Sequence, residues 1–210
     1  MTLRIVLATH NQHKVEEFQR ILGAAMPNLE IVAYDGPEPV ENGVSFAENA
    51  LIKARAAAAH TGLVALADDS GICVDVLGGA PGIFSARWAG AHGDAGANLR
   101  LLLDQLSDIA EEHRGGHFTA AIALADPGGS EAVVEGIWPG RVATEPRGEH
   151  GFGYDPIFLP EGHNVSAAEL SPDAKDAESH RARAFERLIP VLRALEPVAD
   201  DHREGDPAGN

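Results

Sequence analysis

The sequence is poor in cysteine, with Cys73 as the only one among 210 residues. An intrachain disulfide and a zinc site built on cysteine pairs are therefore excluded. A chain that relies on no disulfide is typical of a reducing compartment, so we expect a cytoplasmic protein.

Basic residues are also scarce. Lysine and arginine together number 16 against 32 aspartates and glutamates, which gives a formal net charge of −16. The electrostatic field of a protein with this charge repels a nucleic-acid backbone, so we expect no nucleic-acid partner. A phosphate-bearing small molecule would have to be held by locally concentrated lysines and arginines or by a metal ion.

Long apolar runs are absent as well. Uncharged stretches such as 56–67 are shorter than the roughly 20 residues that a membrane span needs, so we expect no membrane partner. The chain does contain 44% apolar residues, which suits one ordinary globular domain, and we place that domain at residues 1–195. Residues 196–210 are acidic and almost without large apolar side chains, and we predict a disordered tail there.

Hydrophobic periodicity predicts a mixed α/β protein, with strand-helix units early and paired strands late. The segment Asp68-Asp69-Ser70-Gly71 is predicted to be an acidic turn between two strand pieces. The predicted strands are Leu3–Ala8, Ile31–Ala33, Val64–Ala67, Ile72–Val76, Phe118–Ala125 and Ala132–Trp138. The predicted helices follow the apolar positions from Val15 to Leu22, from Phe46 to His60, from Leu99 to Ile109 and from Ala182 to Leu195, the last with a kink or a new turn at Pro190.

The first predicted strand leads directly into Thr9-His10-Asn11-Gln12-His13-Lys14 and then into a helix. A loop that opens a helix presents free backbone N–H groups at the positive end of the helix dipole, which suits a phosphate. Lys14 would lie within reach of that anion. Thr9 or Asn11 could equally serve only as the N-cap of the helix. The segment is not a Walker P-loop, because the pattern G-x-x-x-x-G-K-[ST] is absent.

Asp68 and Asp69 follow an apolar strand, and Glu41 lies in an upstream loop as a third carboxylate. Hard oxygen ligands of this kind suit Mg²⁺, which is normally shared with substrate phosphates. Adjacent acids at the end of a strand also occur in plain turns, so the pair alone leaves both interpretations open.

Two segments of the second half could contact a ligand. Gly151-Phe152-Gly153-Tyr154-Asp155-Pro156 combines an aromatic ring with glycines that permit close approach of the backbone, as a base-stacking platform requires. A tight loop with Phe152 in the core is the simpler interpretation. Ser179-His180-Arg181, near the start of the last helix, offers two adjacent donors, although a solvated helix face explains it equally well.

These segments, in this order, resemble the inosine/xanthosine triphosphate pyrophosphatase family over about residues 3–195. Several spaced motifs in one order are far more specific than any single motif. One departure is His10, where many members have glycine. The matching residues are Thr9 to Lys14, Glu41, Ser45 to Ala50, Lys53, Ala67 to Gly71, Gly78 to Gly82, Ser85 to Arg87, Gly151 to Phe158, Lys175 and Ser179 to Arg181.

The resemblance implies an α/β fold with a mixed sheet, flanking helices and two lobes around a central nucleotide-binding cleft, usually as a homodimer. It also implies Mg²⁺-dependent hydrolysis of purine nucleoside triphosphates with non-standard bases (ITP, dITP, XTP) between the α- and β-phosphates. Asp69 would be the general base that activates water, and Glu41, Asp68 and Asp69 would form the metal environment. The residues expected to bind the substrate are Thr9, His10, Asn11, Gln12, His13, Lys14, Lys53, Ser70, Phe152, Gly153, Tyr154, Asp155, Lys175, His180 and Arg181.

Within that resemblance, His180 and Arg181 would recognise the edge of the base. A 6-oxo purine presents an acceptor where adenine presents an amino donor, so two protein donors would leave adenine mismatched. The alternative is a non-catalytic purine-nucleotide-binding or regulatory protein of the same fold. A protein of that kind would lack one or more of the acids of the metal environment, and Glu41, Asp68 and Asp69 are all present.

Overall fold

A computed structural model describes residues 2–195 of the chain, which form one six-stranded sheet with helices around it. The strands are β1 (Leu3–Leu7), β2 (Leu29–Ala33), β3 (Val64–Val74), β4 (Gly115–Ala125), β5 (Glu131–Val142) and β6 (Phe158–Pro160). Their order across the sheet is β2-β1-β3-β4-β5-β6. β1 is parallel to β2 and β3, and the other neighbours are antiparallel. The predicted mixed sheet is confirmed, whereas the predicted tail at 196–210 lies outside the described residues.

The helices begin and end at the residues that local chemistry favours. Asn11 accepts hydrogen bonds from the first-turn N–H groups of the first helix, and Ser45 accepts one from the N–H of Glu48 at the second. Gly62 ends the second helix in the left-handed conformation, with φ at 67°. The helices are α1 (Gln12–Ala25), α2 (Phe46–Thr61), α3 (Ala95–Gln105), α4 (Pro172–Glu178) and α5 (His180–Arg193). Among the described residues, no helix is both long enough and apolar enough to cross a bilayer.

Helices cover both faces of the sheet. α1 and α5 pack on one face, where Phe18 and Phe185 belong with Leu66 of β3 to a first apolar cluster. α2 packs on the other face, and its buried apolar positions are alanines that allow the helix to lie close to the alanines of β3 and β4. Because side chains alternate along a strand, neighbouring residues of β3 contribute to opposite clusters. A third cluster lies towards the end of β3 and includes Ile72 and Trp138.

The predicted acidic turn at Asp68 to Gly71 is wrong, because these residues lie inside the continuous strand β3. β4 pairs with β3 from Ala65 to Val74, and this uninterrupted ladder outweighs the turn preference of the segment. On the other side, β1 pairs with β3 only as far as Leu66. Asp68 and Asp69 therefore lie beyond the end of β1, where the second edge of β3 has no partner strand among residues 2–195.

Two helix predictions differ from the structure at their ends. α3 stops at Gln105, before Ile109, because the buried guanidinium of Arg114 donates hydrogen bonds to the carbonyls of Leu106 and Ile109 in the following turns. α5 begins at His180 and continues through Pro190 to Arg193 without a break. The short elements α4 and β6 were not predicted from periodicity, since they are too brief to show one.

Candidate active site

A cleft of ≈ 480 Å³ opens beside β3 where β1 has ended. Its volume is in the usual range for small-molecule sites. Its walls include Ala8 and Tyr34 of the apolar cluster under α2, and Phe118 and Tyr154 of the cluster towards the end of β3. The cleft therefore lies between two separate parts of the core.

Most of the predicted site residues meet in this cleft, and two do not. The predicted residues that line it are Thr9, Asn11, His13, Lys14, Glu41, Lys53, Asp68, Asp69, Ser70, Phe152, Gly153, Tyr154, Asp155, Lys175, His180 and Arg181. His10 and Gln12 are not among its lining residues. Nδ1 of His10 lies 3.1 Å from the carboxylate of Glu38, and Nε2 of Gln12 donates to Glu16 at 3.2 Å, so local partners engage both side chains.

The start of α1 is already occupied by its own cap. The side chain of Asn11 accepts hydrogen bonds from the N–H groups of His13 and Lys14, and the hydroxyl of Thr9 accepts one from the N–H of Asn11. The capping interpretation of this segment is therefore correct. Lys14 nevertheless reaches the cleft, where its ammonium group is the charge that the segment supplies.

Asp68 and Asp69 point to opposite faces of β3 because side chains alternate along a strand. Asp68 faces α1 and α5, where Nζ of Lys14 lies 2.7 Å from Oδ2 and Nη2 of Arg181 lies 3.3 Å from the same oxygen. Asp69 faces α2, where Nζ of Lys53 lies 3.1 Å from Oδ1. The two neighbouring acids thus belong to two different charge clusters.

The Asp68 cluster is buried and contains an acid that the sequence analysis missed. Oε2 of Glu17, on α1, lies 3.0 Å from Nη1 of Arg181, and the two residues are only 5% and 2% exposed. Nε and Nη2 of Arg181 donate to Asp68, and Nη2 also donates to Ser70. These contacts occupy four of the five N–H groups of the guanidinium. Glu17 could have been recognised as a charged residue one helical turn after Lys14, adjacent to apolar positions of α1.

Electrostatics in this cluster keep Asp68 ionised. Burial alone would raise the pKa of Asp68, but the positive charges of Arg181 and Lys14 outweigh it and hold the pKa well below its ordinary value. Burial lowers the pKa of Lys14, and the neighbouring Asp68 offsets only part of that effect. For Arg181, burial is outweighed by Asp68 and Glu17, which raise its pKa. The carboxylate and guanidinium therefore stabilise each other's charged forms.

The Asp69 cluster has the opposite character. Burial raises the pKa of Asp69, Lys53 opposes this rise, and Glu41 adds to it. Burial would lower the pKa of Lys53, but Asp69 and Glu41 outweigh it and raise the value. Nζ of Lys53 lies 3.3 Å from Oε1 of Glu41 and bridges the two acids. The net pKa of Asp69 is thus raised, whereas that of Asp68 is lowered.

The loop that carries Glu41 is fixed by the first turns of α2. The N–H of Gly43 donates to Oδ1 of the fully buried Asn49 at 2.9 Å, and the N–H of Val44 donates to Glu48 at 2.6 Å. A Cβ atom at Gly43 would lie 2.7 Å from Oδ1 of Asn49, so the loop can approach α2 this closely only with glycine at that position. This packing holds Glu41 beside Lys53.

Two carboxylate oxygens of β3 are available for a cation. Oδ1 of Asp68 and Oδ2 of Asp69 are buried and have no hydrogen-bond partner among the described residues. Hard oxygens in this state suit Mg²⁺. Within residues 2–195, no three His, Cys, Asp or Glu side chains converge into a metal-binding group. Because the two acids point to opposite faces of β3, the donor set fits a Mg²⁺ ion that takes most of its ligands from substrate phosphates or water, and it does not fit an all-protein cage.

Phe152 faces the cleft, so the simpler interpretation that placed it in the core is wrong. Its ring stacks on His13, with the centroids 5.6 Å apart and the planes 15° apart. Nζ of Lys175 lies 5.3 Å from the ring centroid. Oδ2 of Asp155 accepts hydrogen bonds from the N–H of Phe152 and from Lys175, which fixes the loop. Gly151 has φ at 74° and a Cβ there would collide with Asp155, so the turn needs glycine.

His180 and Arg181 are 3% and 2% exposed, so the interpretation as a solvated helix face is wrong. The cause lies in β5, where a Cβ at Gly136 would lie 2.5 Å from the backbone nitrogen of Ala184. Only glycine lets the first turns of α5 lie directly on the sheet. The ring of His180 stacks on Phe118 at 4.8 Å, and its Nδ1 is buried without a partner among the described residues. Burial, together with the charge of Arg181, lowers the pKa of His180 well below its ordinary value, so the ring is neutral at pH 7.

Comparison with known proteins agrees with this geometry. Residues 5–191 match the model of the Ham1 family. A dITP/XTP pyrophosphatase of Leifsonia xyli subsp. xyli is 70% identical over 193 residues, which cover 92% of this chain and 97% of the relative. The dITP/XTP pyrophosphatase of Streptomyces avermitilis is 57% identical, covering 91% of this chain and 98% of the relative.

Solved structures show the same fold. A HAM1 protein of Coxiella burnetii is 41% identical and superposes with a TM-score of 0.83, covering 92% of this chain and 100% of that structure. The nucleoside-triphosphatase (dITP/XTP pyrophosphatase) of Mycobacterium abscessus is 50% identical with a TM-score of 0.73, covering 91% of this chain and 100% of that structure. The match extends over nearly the whole length of each of these proteins.

Proposed function

We propose, from the premise that this chain belongs to the Ham1 family, that it is an enzyme that hydrolyses ITP, dITP and XTP to the nucleoside monophosphate and pyrophosphate. Such an activity removes purine nucleotides with non-standard bases from the nucleotide pool. The observation that supports it most directly is the pair of oppositely oriented acids on β3, each held by a lysine at the wall of one cleft.

The reaction requires water to form a bond to the α-phosphorus while the bond from that phosphorus to the bridging oxygen breaks. The water proton needs an acceptor, and pyrophosphate leaves with the electron pair of the broken bond. Asp69 supplies the acceptor, since burial raises its pKa and its Oδ2 has no hydrogen-bond partner among the described residues. Lys53 holds the other oxygen at 3.1 Å and so orients the carboxylate.

Asp68 and Asp69, with Glu41 beside them, would hold Mg²⁺ together with the substrate phosphates. When bound, the ion neutralises negative charge on the phosphates and so makes attack by water easier. Lys14 and Lys53 contribute fixed positive charge to the same region of the cleft.

The base would lie at the end of the cleft where Phe152, His180 and Arg181 meet. Phe152 offers a ring face for stacking, which tolerates any base. The guanidinium of Arg181 retains one N–H beyond its bonds to described residues, and the neutral ring of His180 carries one more. Either donor matches a 6-oxo group, whereas the amino group of adenine would leave donor facing donor. One such buried mismatch costs about 1 to 3 kcal/mol, which is roughly 5- to 150-fold in selectivity.

The proposal also covers the partners, the oligomeric state and the location of the enzyme. The formal charge of −16 favours free nucleotides over nucleic acid as partners. The family resemblance supports a homodimer, and the single cysteine supports a cytoplasmic location.

The test is an Asp69→Asn variant assayed for pyrophosphate release from ITP, dITP, XTP, ATP and GTP, with and without Mg²⁺. The substitution is nearly isosteric, so we expect a folded protein whose kcat falls by about 100-fold or more. The matched control is Asp126→Asn, in the turn between β4 and β5, which should leave turnover unchanged because Asn can still accept the N–H of Gly128.

The outcomes separate the two candidate functions. Mg²⁺-dependent turnover that prefers ITP, dITP and XTP over ATP and is lost only in Asp69→Asn supports the proposal. A wild-type protein that binds ITP without hydrolysing it would favour the non-catalytic alternative.

A further inference from the structure

Arg87 differs from the other strongly basic side chains of the cleft. Lys14, Lys53, Lys175 and Arg181 each contact at least one carboxylate within 4 Å. Arg87 lines the same cleft and has no carboxylate at ion-pair distance among the described residues. The positive charge of the first four is therefore already balanced by the acids of the protein, and Arg87 is the guanidinium that remains available to a bound anion.

The segment that carries Arg87 is held rigidly against β3. The hydroxyl of Ser85 accepts the N–H of Ile72 at 3.0 Å and donates to the carbonyl of Gly82 at 2.6 Å. The hydroxyl of Tyr154 donates to the carbonyl of Ser85 at 2.9 Å. These bonds fix the short 3-10 helix Gly82–Arg87 immediately before the arginine.

The residues around Arg87 are fixed as well. The carbonyl of Ala86 accepts hydrogen bonds from the buried side chain of Asn98, at 3.1 Å, and from the N–H of Gly93. The guanidinium itself lies 5.3 Å from the ring centroid of Phe84, which restricts its position through a cation–π contact. A long basic side chain is thus presented to the cleft from a well-anchored backbone.

The position of this segment also determines which part of a nucleotide Arg87 can reach. A Cβ at Gly71 would lie 2.6 Å from the carbonyl oxygen of Gly82, so the 3-10 helix covers the face of β3 towards which residue 71 points. Asp69 points to that same face because side chains alternate along the strand. Arg181 and the stacking platform at Phe152 lie on the Asp68 side. A nucleotide bound with its base at Phe152 must pass the two aspartates before its far end meets Arg87.

We propose that Arg87 binds the two terminal phosphates of the substrate, the part that leaves as pyrophosphate. The inference rests on the proposed function and adds a binding residue to it. A planar guanidinium can donate two parallel hydrogen bonds to phosphate oxygens, and a site that does so recognises a triphosphate in preference to a monophosphate.

The test compares Arg87→Gln, Arg87→Lys and the control Arg100→Gln. Arg100 is an exposed arginine on α3 that does not line the cleft, so its substitution changes the net charge equally without touching the site. Binding is measured by calorimetry for inosine monophosphate and for the α,β-imido analogue of ITP, whose bridging N–H resists hydrolysis. KM and kcat for ITP are measured in parallel.

We expect Arg87→Gln to weaken binding of the imido triphosphate and to raise KM by roughly 10- to 100-fold, while affinity for the monophosphate changes less than about twofold. Arg87→Lys should recover part of the loss, and Arg100→Gln should match the wild type. Equal weakening of the monophosphate and the triphosphate, or no change in either, would overturn the assignment. A wild type that binds the analogue but hydrolyses no nucleotide would instead overturn the proposed function, and the binding ratio would still decide the role of Arg87.

Discussion

Replacing Glu17 with alanine should destabilise the protein far more than the loss of an ordinary surface glutamate. Oε2 of Glu17 lies 3.0 Å from Nη1 of Arg181, and the two side chains are 6% and 2% exposed. The substitution leaves a buried guanidinium with Asp68 as its remaining carboxylate partner among the described residues.

The magnitude follows from burial and charge separation. Two charges about 4 Å apart interact by about 4 kcal/mol at an effective dielectric constant of about 20. Removing one partner of a buried ion pair costs about 3 to 5 kcal/mol. Because Arg181 keeps its contact with Asp68, we expect Glu17→Ala to lower the free energy of unfolding by about 3 kcal/mol, near the lower end of this range.

The chain provides a matched control in the pair of Arg4 and Glu30, which also joins an arginine to a glutamate, at 3.3 Å, but with both side chains 53% exposed. Glu30→Ala should cost less than about 1 kcal/mol. Urea unfolding followed by circular dichroism measures both variants, with unchanged m-values as the check that the comparison is valid. If Glu17→Ala costs no more than Glu30→Ala, the buried cluster does not contribute as the geometry indicates.

Two further predictions concern the packing of α5 against the sheet. Gly136→Ala should lower the free energy of unfolding by at least about 2 kcal/mol and lower the activity, because the new Cβ would lie 2.5 Å from the backbone nitrogen of Ala184. The control is Gly23→Ala, which has open space around the new Cβ and should be neutral or slightly stabilising. Thermal melts compare the two variants. The second concerns His180, whose pKa is lowered in the folded state by burial and by the charge of Arg181. Protonation therefore favours unfolding, and stability is lost as the pH falls below the unfolded value of about 6.5. Between pH 7.5 and 5.5 the wild type should lose about 1.4 kcal/mol relative to His180→Phe in urea titrations, and a constant difference between the two would contradict the burial argument.

The order of motifs along the chain was sufficient to predict the family, the mixed α/β fold and most of the residues that line the cleft. The site residues followed from the resemblance to a known family, whereas the pattern of strands and helices depends on local chemistry that a sequence displays directly. Asn11 and Ser45 cap helices through contacts two or three residues away, Gly62 ends a helix by its own left-handed conformation, and the acids at 68 and 69 follow an apolar strand.

The sequence misled where a distant partner controls a segment. The acidic turn was predicted from the residues 68–71 alone, but pairing with β4 extends the strand through them. His180 and Arg181 were compatible with a solvated helix face, and Gly136, more than forty residues earlier, is what allows their helix to bury them. His10 and Gln12 belong to the same segment as Lys14, yet neither lines the cleft.

The sequence by itself determined which chemical groups this protein possesses: paired acids, a few lysines and arginines, and a glycine-rich aromatic loop. The tertiary structure decided how those charges are distributed, because the pleat of β3 sends Asp68 to Arg181 and Lys14 and sends Asp69 to Lys53. Burial raises the pKa of both carboxylates, but the charges of Arg181 and Lys14 outweigh it at Asp68, whereas Lys53 does not outweigh it at Asp69, so the net pKa shifts are opposite. Neither the side of the strand nor the depth of burial is written in a dipeptide of two aspartates, since both depend on which strands and helices surround it.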